Sequence, residues 1–263
     1  MLPKKIIEAF GLKGTVRRLK GGRGTTYLVG KTVLKPVDNK TEAQWVAETF
    51  SKIKTNKIRL PEYIKSKKNK WVENGWIAYK YISGKHYKKR LNDKIDVCDT
   101  FQSVLRRIDC PKFMKTRNDP WSRADRIVWE EESLKCHKKI KPYAIKLMRH
   151  FKPISLKKQI IHGDIGGNIL FAKGKPPAII DFSPYYRPTD FALAILVVDA
   201  LVWGGASAKI LNIFKEKKEF DQLLLRAELR RILEIGFCIK HFKKGNINEI
   251  NQHKDTINLI CNL

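Results

Sequence analysis

The sequence predicts an α+β chain of two lobes, a small antiparallel sheet with one helix followed by a mostly helical remainder. Three observations carry this. Short strand-like runs separated by Gly-rich turns fill the first third. Helix-period stretches dominate after Gly84. The two textures meet at Ser83–Gly84, which sets the expected domains at residues 1–83 and 84–263.

Taken in order, residues 1–10 read as a short helix with Ile6, Ile7 and Phe10 on one face. Residues 16–19, 25–29 and 32–37 read as three strands, with Gly21-Gly22-Arg23-Gly24 and Gly30-Lys31 as the turns between them. Residues 41–53 have helical spacing, with Trp45, Val46, Thr49, Phe50 and Ile53 on one side. Pro61 demotes residues 60–64 to an edge strand. Asn74-Gly75 between residues 71–73 and 76–82 is a hairpin signal. Residues 92–108, 120–138, 142–151, 190–203 and 221–241 read as helices. Short apolar runs at Ile160-Ile161, Ile169–Ala172 and Ala178–Ile180 flank a polar loop, HGDIGGN.

Composition narrows the function classes. Hydrophobic residues make up 43% of 263 positions, too many for a disordered chain. Five dispersed cysteines without a CxxC pair argue against a disulfide framework or a thiolate zinc site. The N-terminus lacks an apolar run of the length a secretory signal needs, so the expected location is the cytoplasm. The apolar stretch Phe191–Ala208 holds Asp199 and Gly204-Gly205, and is expected to be a buried core helix with no membrane role. The net charge is +28, with 39 lysines against 15 arginines. The excess is +13 in residues 1–84, +12 in 85–160 and +3 in 161–263, so it forms no tail. Such a surface attracts polyanions at low salt.

The chemistry-bearing signal is His162-Gly163-Asp164-Ile165-Gly166-Gly167-Asn168, followed thirteen residues after Asn168 by Asp181. Two carboxylates and an amide on loops bounded by buried strands suit phosphoryl transfer to a hydroxyl. One carboxylate takes the hydroxyl proton, and the other, with the amide, holds Mg²⁺ on the phosphates. The oxygen donors suit a hard cation. His162 is expected to brace the loop by hydrogen bonding.

The series His-Gly-Asp, Asn-Ile-Leu and Ile-Ile-Asp-Phe resembles the core of aminoglycoside phosphotransferase-like and choline kinase-like enzymes, which share a bilobal protein-kinase-like fold. VLKP, NGWIAYKYISGKH, HGDIGGNILF and IIDFSPYYRP more closely resemble an uncharacterised, mainly actinobacterial phosphotransferase-like family. The resemblance implies Asp164 as catalytic base and Asn168 and Asp181 as magnesium ligands. It implies ATP held by Gly22, Arg23, Gly24 and Thr25 over the phosphates, and by Lys35 on the third strand, paired with Glu42, which is preferred over Glu48 on the same helix. The backbone of Lys80 and Ile82 would meet the adenine. Residues 1–83 would then bind nucleotide, and 84–263 would carry catalysis and the acceptor.

Two features depart from that pattern. Asp164 and Asn168 are four apart where the general pattern has five, and Gly166-Gly167 are read either as supplying the backbone angles that let the shorter loop deliver Asn168 to the metal or as marking a weakened magnesium site. Ser183-Pro184 follows Asp181-Phe182 where protein kinases commonly have glycine. Tyr185, Tyr186, Arg187 and Trp203 are candidate acceptor residues, and Asp199 is expected to brace a neighbouring helix rather than touch substrate. Trp121 and Trp129 are expected to be core. The acceptor is expected to be a small hydroxylated molecule that is not polycationic, since residues after Asp181 hold no acidic excess. Two alternatives stand beside the kinase: a nucleotide-binding protein with weak or no transfer, and a kinase-like protein with a polyanionic (RNA) partner, motivated by aromatics among basic residues at 63–90.

Overall fold

The computed structural model describes residues 2–20 and 24–263. They form two compact units. One comprises Met1–Tyr87 with Asn168–Phe182, the other Lys88–Gly167 with Ser183–Leu263. The segment 168–182, grouped by sequence with residues 84–263, thus clusters with the first unit.

The first unit is built on α1 (Lys4–Ala9), β1 (Val16–Arg18), β2 (Tyr27–Val29), β3 (Thr32–Pro36), α2 (Lys40–Lys52), β4 (Tyr63–Ile64), β5 (Val72–Glu73) and β6 (Trp76–Lys80). The sheet order is β1-β2-β3-β6-β4, with β5 also paired to β6, and every pairing is antiparallel. The Asn74-Gly75 turn forms as the sequence predicts. Both residues have positive φ, the geometry that matches strand twist in a two-residue hairpin. The sheet is covered on both faces because successive strand residues point opposite ways. Ala78 and Leu34 join Ile6 and Phe10 of α1, whereas Ile77 and Val72 join Ala47 of α2. α2 starts cleanly because Asn39 Oδ1 accepts the Glu42 backbone N–H at 3.1 Å.

The second unit contains α3 (Leu91–Leu105), α4 (Pro120–Val128), α5 (Lys141–Met148), β7 (Lys158–His162), and, back in the first unit, the hairpin β8 (Ile169–Ala172) and β9 (Lys175–Ile179). The second unit resumes with β10 (Pro184–Pro188), α6 (Phe191–Val202), α7 (Phe220–Phe242) and α8 (Lys254–Cys261), with 3₁₀ turns at Lys112–Lys115, Ala208–Phe214 and Ile247–His253. β7 and β10 pair antiparallel. α6 is buried from Phe191 to Val198, as its composition predicts. Among the described residues, no helix is long and apolar enough to cross a membrane.

The helix expected over 120–138 stops at Val128. Glu130 takes a left-handed φ of 58°, which turns the chain back on itself. Glu131 and Glu132 then reach arginines, Glu131 to Arg187 and Glu132 to Arg123 and Arg126. Three side-chain ion pairs thus compete with, and outweigh, another helical turn. Trp129 and Trp121 lie against Phe191 and Phe242, and both are half-buried packing residues rather than core.

Candidate functional site

In the first unit the expected nucleotide and metal residues are spread over the β1–β6 sheet, α2 and the two ends of the β8–β9 hairpin. Lys35 sits on β3 opposite Ile77 of β6. Its Nζ forms an ion pair with Asp181 Oδ1. Asp181 follows the β8–β9 hairpin in a left-handed conformation, φ 50°. The open end of that hairpin is closed by Ile180 N–H donating to Asn168 O at 2.9 Å. The residue just before Asp181 is therefore tied to Asn168. Phe182 stacks on Phe50 of α2 with centroids 5.2 Å apart, and Phe50 in turn meets Tyr63 at 6.3 Å. Burial, with the negative charge of Asp181 nearby, pushes the Tyr63 and Tyr79 hydroxyls well above their ordinary range.

Asn168 and Asp181 offer only oxygen donors. Mg²⁺ takes one or two protein oxygens and completes its shell with water and phosphate. The pair fits that ion. Among the described residues, no group of three or more His, Cys, Asp or Glu side chains could hold a metal.

The loop expected to cover the phosphates is seen in part. Gly22 and Arg23 lie outside the described residues. Gly24 has φ 64°, where a side chain is strained, and its carbonyl accepts from Arg18 Nε. Thr25 lies in the irregular stretch leading into β2. Glu42 stands in the first turn of α2. Lys80 ends β6, its backbone N–H donating to Glu62 O and its ammonium pairing with the Glu62 carboxylate. Ile82 lies in the irregular stretch just beyond.

Asp164 belongs to the second unit. Its backbone N–H donates to His162 Nδ1 at 3.1 Å, and His162 is fully buried, which is the bracing role expected of it. The Asp164 side chain is 51% exposed, yet Oδ1 accepts from Arg231 Nη2 at 2.8 Å. Burial of its surroundings would raise the carboxyl, but the Arg231 charge and hydrogen bond overcome that and hold it below the ordinary range. Asp199 of α6 grips the same guanidinium twice, Oδ1 to Nε at 2.7 Å and Oδ2 to Nη2 at 2.6 Å. Asp199 thus braces a neighbouring helix, as expected. Glu234 takes Arg231 Nη1 at 2.9 Å.

Close approach constrains Gly163 and Gly166, and the backbone freedom expected of Gly166-Gly167 is not drawn on as positive φ. A Cβ on Gly166 would stand 3.2 Å from Asp199 Oδ2, and one on Gly163 would overlap the Tyr185 ring. Nothing lies within 4 Å of a Cβ built on Gly167.

Comparison with known proteins separates fold from sequence. No protein-family model matches the chain, and no curated protein matches it significantly. Solved structures do match over nearly the whole length. Choline kinase LicA from Streptococcus pneumoniae superposes with a TM-score of 0.68 at 11% identity, covering 99% of this chain and 98% of that one. Aminoglycoside phosphotransferase APH(4)-Ia gives 0.61 at 13% identity, covering 98% and 97%. Spectinomycin phosphotransferase APH(9)-Ia, with ADP and spectinomycin, gives 0.58 at 14%, covering 99% and 94%.

The chain has the protein-kinase-like fold.

Within that fold, some candidate acceptor residues turn out to be structural. Tyr185 is 3% exposed, with the Arg117 and Arg230 guanidiniums 4.7 and 4.3 Å from its ring centroid. Arg187 is committed to Asp125 and Glu131. Tyr186 and Trp203 remain exposed, Trp203 donating Nε1 to Gln252 at 2.8 Å.

Sequence reading missed two arginines. Arg59 staples the β8–β9 hairpin in place, Nε donating to Pro176 O at 2.8 Å and Nη1 to Ser83 O at 3.0 Å. Arg231 lies 67 residues from Asp164. No local motif marks either. The one available signal for Arg231 was a pair of adjacent arginines, Arg230-Arg231, within the helix expected over residues 221–241.

Proposed function

We propose that the chain is an ATP-dependent phosphotransferase that moves the γ-phosphate to a hydroxyl of a small molecule. The observation that carries this reading is the Lys35–Asp181 ion pair, which joins a cation on β3 to the carboxylate after the β8–β9 hairpin. Phosphoryl transfer needs that combination, a fixed cation for the phosphates and an oxygen ligand for their metal.

Roles follow from the chemistry of each side chain. In the first unit, Lys35 binds phosphate oxygens, with Glu42 as its further partner. Gly22, Arg23, Gly24 and Thr25 cover the phosphates, and the backbone of Lys80 and Ile82 meets the adenine. Asn168 and Asp181 would hold Mg²⁺, which when bound neutralises charge on the phosphates. In the second unit, Asp164 orients the acceptor hydroxyl and takes its proton. The loose transition state of such reactions demands little proton abstraction early, so a carboxylate held ionised is adequate.

The acceptor is small, hydroxylated and not polycationic. The residues after Asp181 hold 12 basic and 9 acidic side chains and so no acidic excess. A polycation would meet repulsion there. Nonspecific polyanion binding through the +28 surface accompanies the enzyme without defining it. A cytoplasmic setting, where ATP is plentiful, suits this reading.

The test is a thermal-shift titration with ATP and Mg²⁺ on the wild type and on Asp181→Ala. The reading expects stabilisation of the wild type and a weaker effect in the variant. A wild type that ATP leaves unmoved contradicts it.

A further inference from the structure

The polar cluster beneath Asp164 is larger than loop stability requires. Arg231 is 8% exposed and Asp199 17%, and Glu234 is 10% exposed beside them. Buried ion pairs are poor stabilisers compared with apolar packing, because desolvating the charges costs about as much as their attraction returns. Burial pushes the Asp199 and Glu234 carboxyls upward despite the arginine beside them, the sign of that cost. The arrangement is nonetheless specific. Asp199 clamps Arg231 through a two-point fork, Nε and Nη2, which fixes the guanidinium plane. The second Nη2 hydrogen is then aimed at Asp164 Oδ1. Nη1 is held by Glu234, so the guanidinium cannot swing away.

The same elements grip the backbone of the loop. Arg230 Nη1 donates to Gly163 O at 2.7 Å, and Lys94 Nζ of α3 donates to Gly166 O at 3.0 Å. Gly166 passes Asp199 so closely that a Cβ would touch its carboxylate. The loop carrying Asp164 is thus held at both ends of the Gly163–Gly166 stretch, and its side chain is held by the guanidinium that Asp199 fixes.

We propose that Asp199 and Arg231 are positioning residues: Asp199 locks the Arg231 guanidinium, and Arg231 sets where the Asp164 carboxylate points toward the acceptor hydroxyl. The proposal rests on the reading of Asp164 as the base. A misplacement of about 1 Å in such a group can cost on the order of a hundredfold in rate. Lysine cannot replace Arg231, because a single ammonium lacks the fork that serves Asp199 and Asp164 together.

The test compares wild type, Asp199→Asn and Arg231→Lys in γ-phosphate release from ATP with Mg²⁺, to water or to any acceptor found by screening. The expected result is a kcat at least about tenfold lower in both variants, with the KM for ATP within twofold of wild type. A purely structural role would instead lower melting temperature without that split. A second readout needs no turnover. The Asp164 carboxyl ¹³C resonance, assigned by its loss in Asp164→Asn, should move in Asp199→Asn. If one variant fails to fold, the other carries both measurements. A kcat within twofold of wild type in the folded variants, or an unmoved Asp164 resonance, overturns the proposal. A wild type that releases no phosphate, with the resonance still moving, defeats the base reading and leaves the positioning contact standing.

Discussion

Lys35 and Asp181 stand 146 residues apart in the sequence and form an ion pair. Both side chains are partly open to solvent, so the pair contributes little to stability, on the order of 0–1 kcal/mol. Its value under the proposed function lies in placing charge for the phosphates and their metal. Lys35→Met should therefore leave the melting temperature nearly unchanged while weakening ATP–Mg²⁺ stabilisation at least about tenfold in apparent Kd, roughly 1.4 kcal/mol. Isothermal titration alongside thermal denaturation checks both halves. A large melting loss with intact ATP affinity would assign the pair to structure.

The loop glycines differ sharply in what they tolerate. Gly163→Ala drives a methyl into the Tyr185 ring, which is itself stacked with Arg117 and Arg230. Overpacking of that kind costs about 1–3 kcal/mol. Gly167→Ala meets nothing within 4 Å and has no positive φ to strain. Chemical denaturation should show a clear loss for the first and a change within about 0.5 kcal/mol for the second. Equal effects at the two positions would contradict the packing described.

Acid should withdraw the stabilisation that Glu131 and Asp119, the arginine-paired carboxylates with lowered pKa, give the second unit. Burial would raise Glu131, but its hydrogen bond and charge pairing with Arg187 hold it below its ordinary 4.5. Asp119 likewise lies below 3.8, where burial is overcome by Arg117 and by the Ser122 backbone N–H. A lowered folded pKa means that the folded state binds fewer protons than the unfolded one. The stabilisation is complete above the unfolded values and disappears as pH falls through the lowered ones, from about pH 5 downward. Arg187→Met should lose about 3–5 kcal/mol at neutral pH, since it strands Asp125 as well. It should also flatten the acid limb of the stability profile measured by urea titration. An unchanged limb would show that Glu131 gains nothing from Arg187.

Much of this architecture was legible in the sequence, and the reasons are local. The Asn74-Gly75 turn and the helical spacing of residues 41–53 each act within a few residues. The apolar run of α6 announced its burial by composition alone. The unreadable parts depend on distant partners. β10 begins and ends in proline and becomes a strand only by pairing with β7. The end of α4 is decided by arginines that Glu131 and Glu132 meet in space. The HGD loop marked Asp164, yet nothing near it in sequence points to Arg231. Gly166 was read for its backbone freedom, and its actual constraint, the carboxylate of Asp199, comes from another helix.

The surplus of lysine makes a separate prediction about polyanions. Binding of mixed RNA should be detectable at about 20 mM salt and vanish by about 150 mM, as counterion release dictates for a diffuse surface. Fluorescence anisotropy across a salt series measures this. Affinity that persists at the higher salt would favour a dedicated nucleic-acid partner over a solvated basic surface.

The central claim is transfer of the γ-phosphate to a hydroxyl with Asp164 as the base. Its most direct measurement is a radiolabelled ATP screen against a panel of neutral and anionic hydroxylated metabolites, run with the wild type and Asp164→Asn. The account predicts a labelled product with the wild type and at least about a hundredfold less with the variant, a loss at the low end of general-base contributions. No labelled product from a wild type that binds ATP, or equal labelling by both proteins, would contradict it.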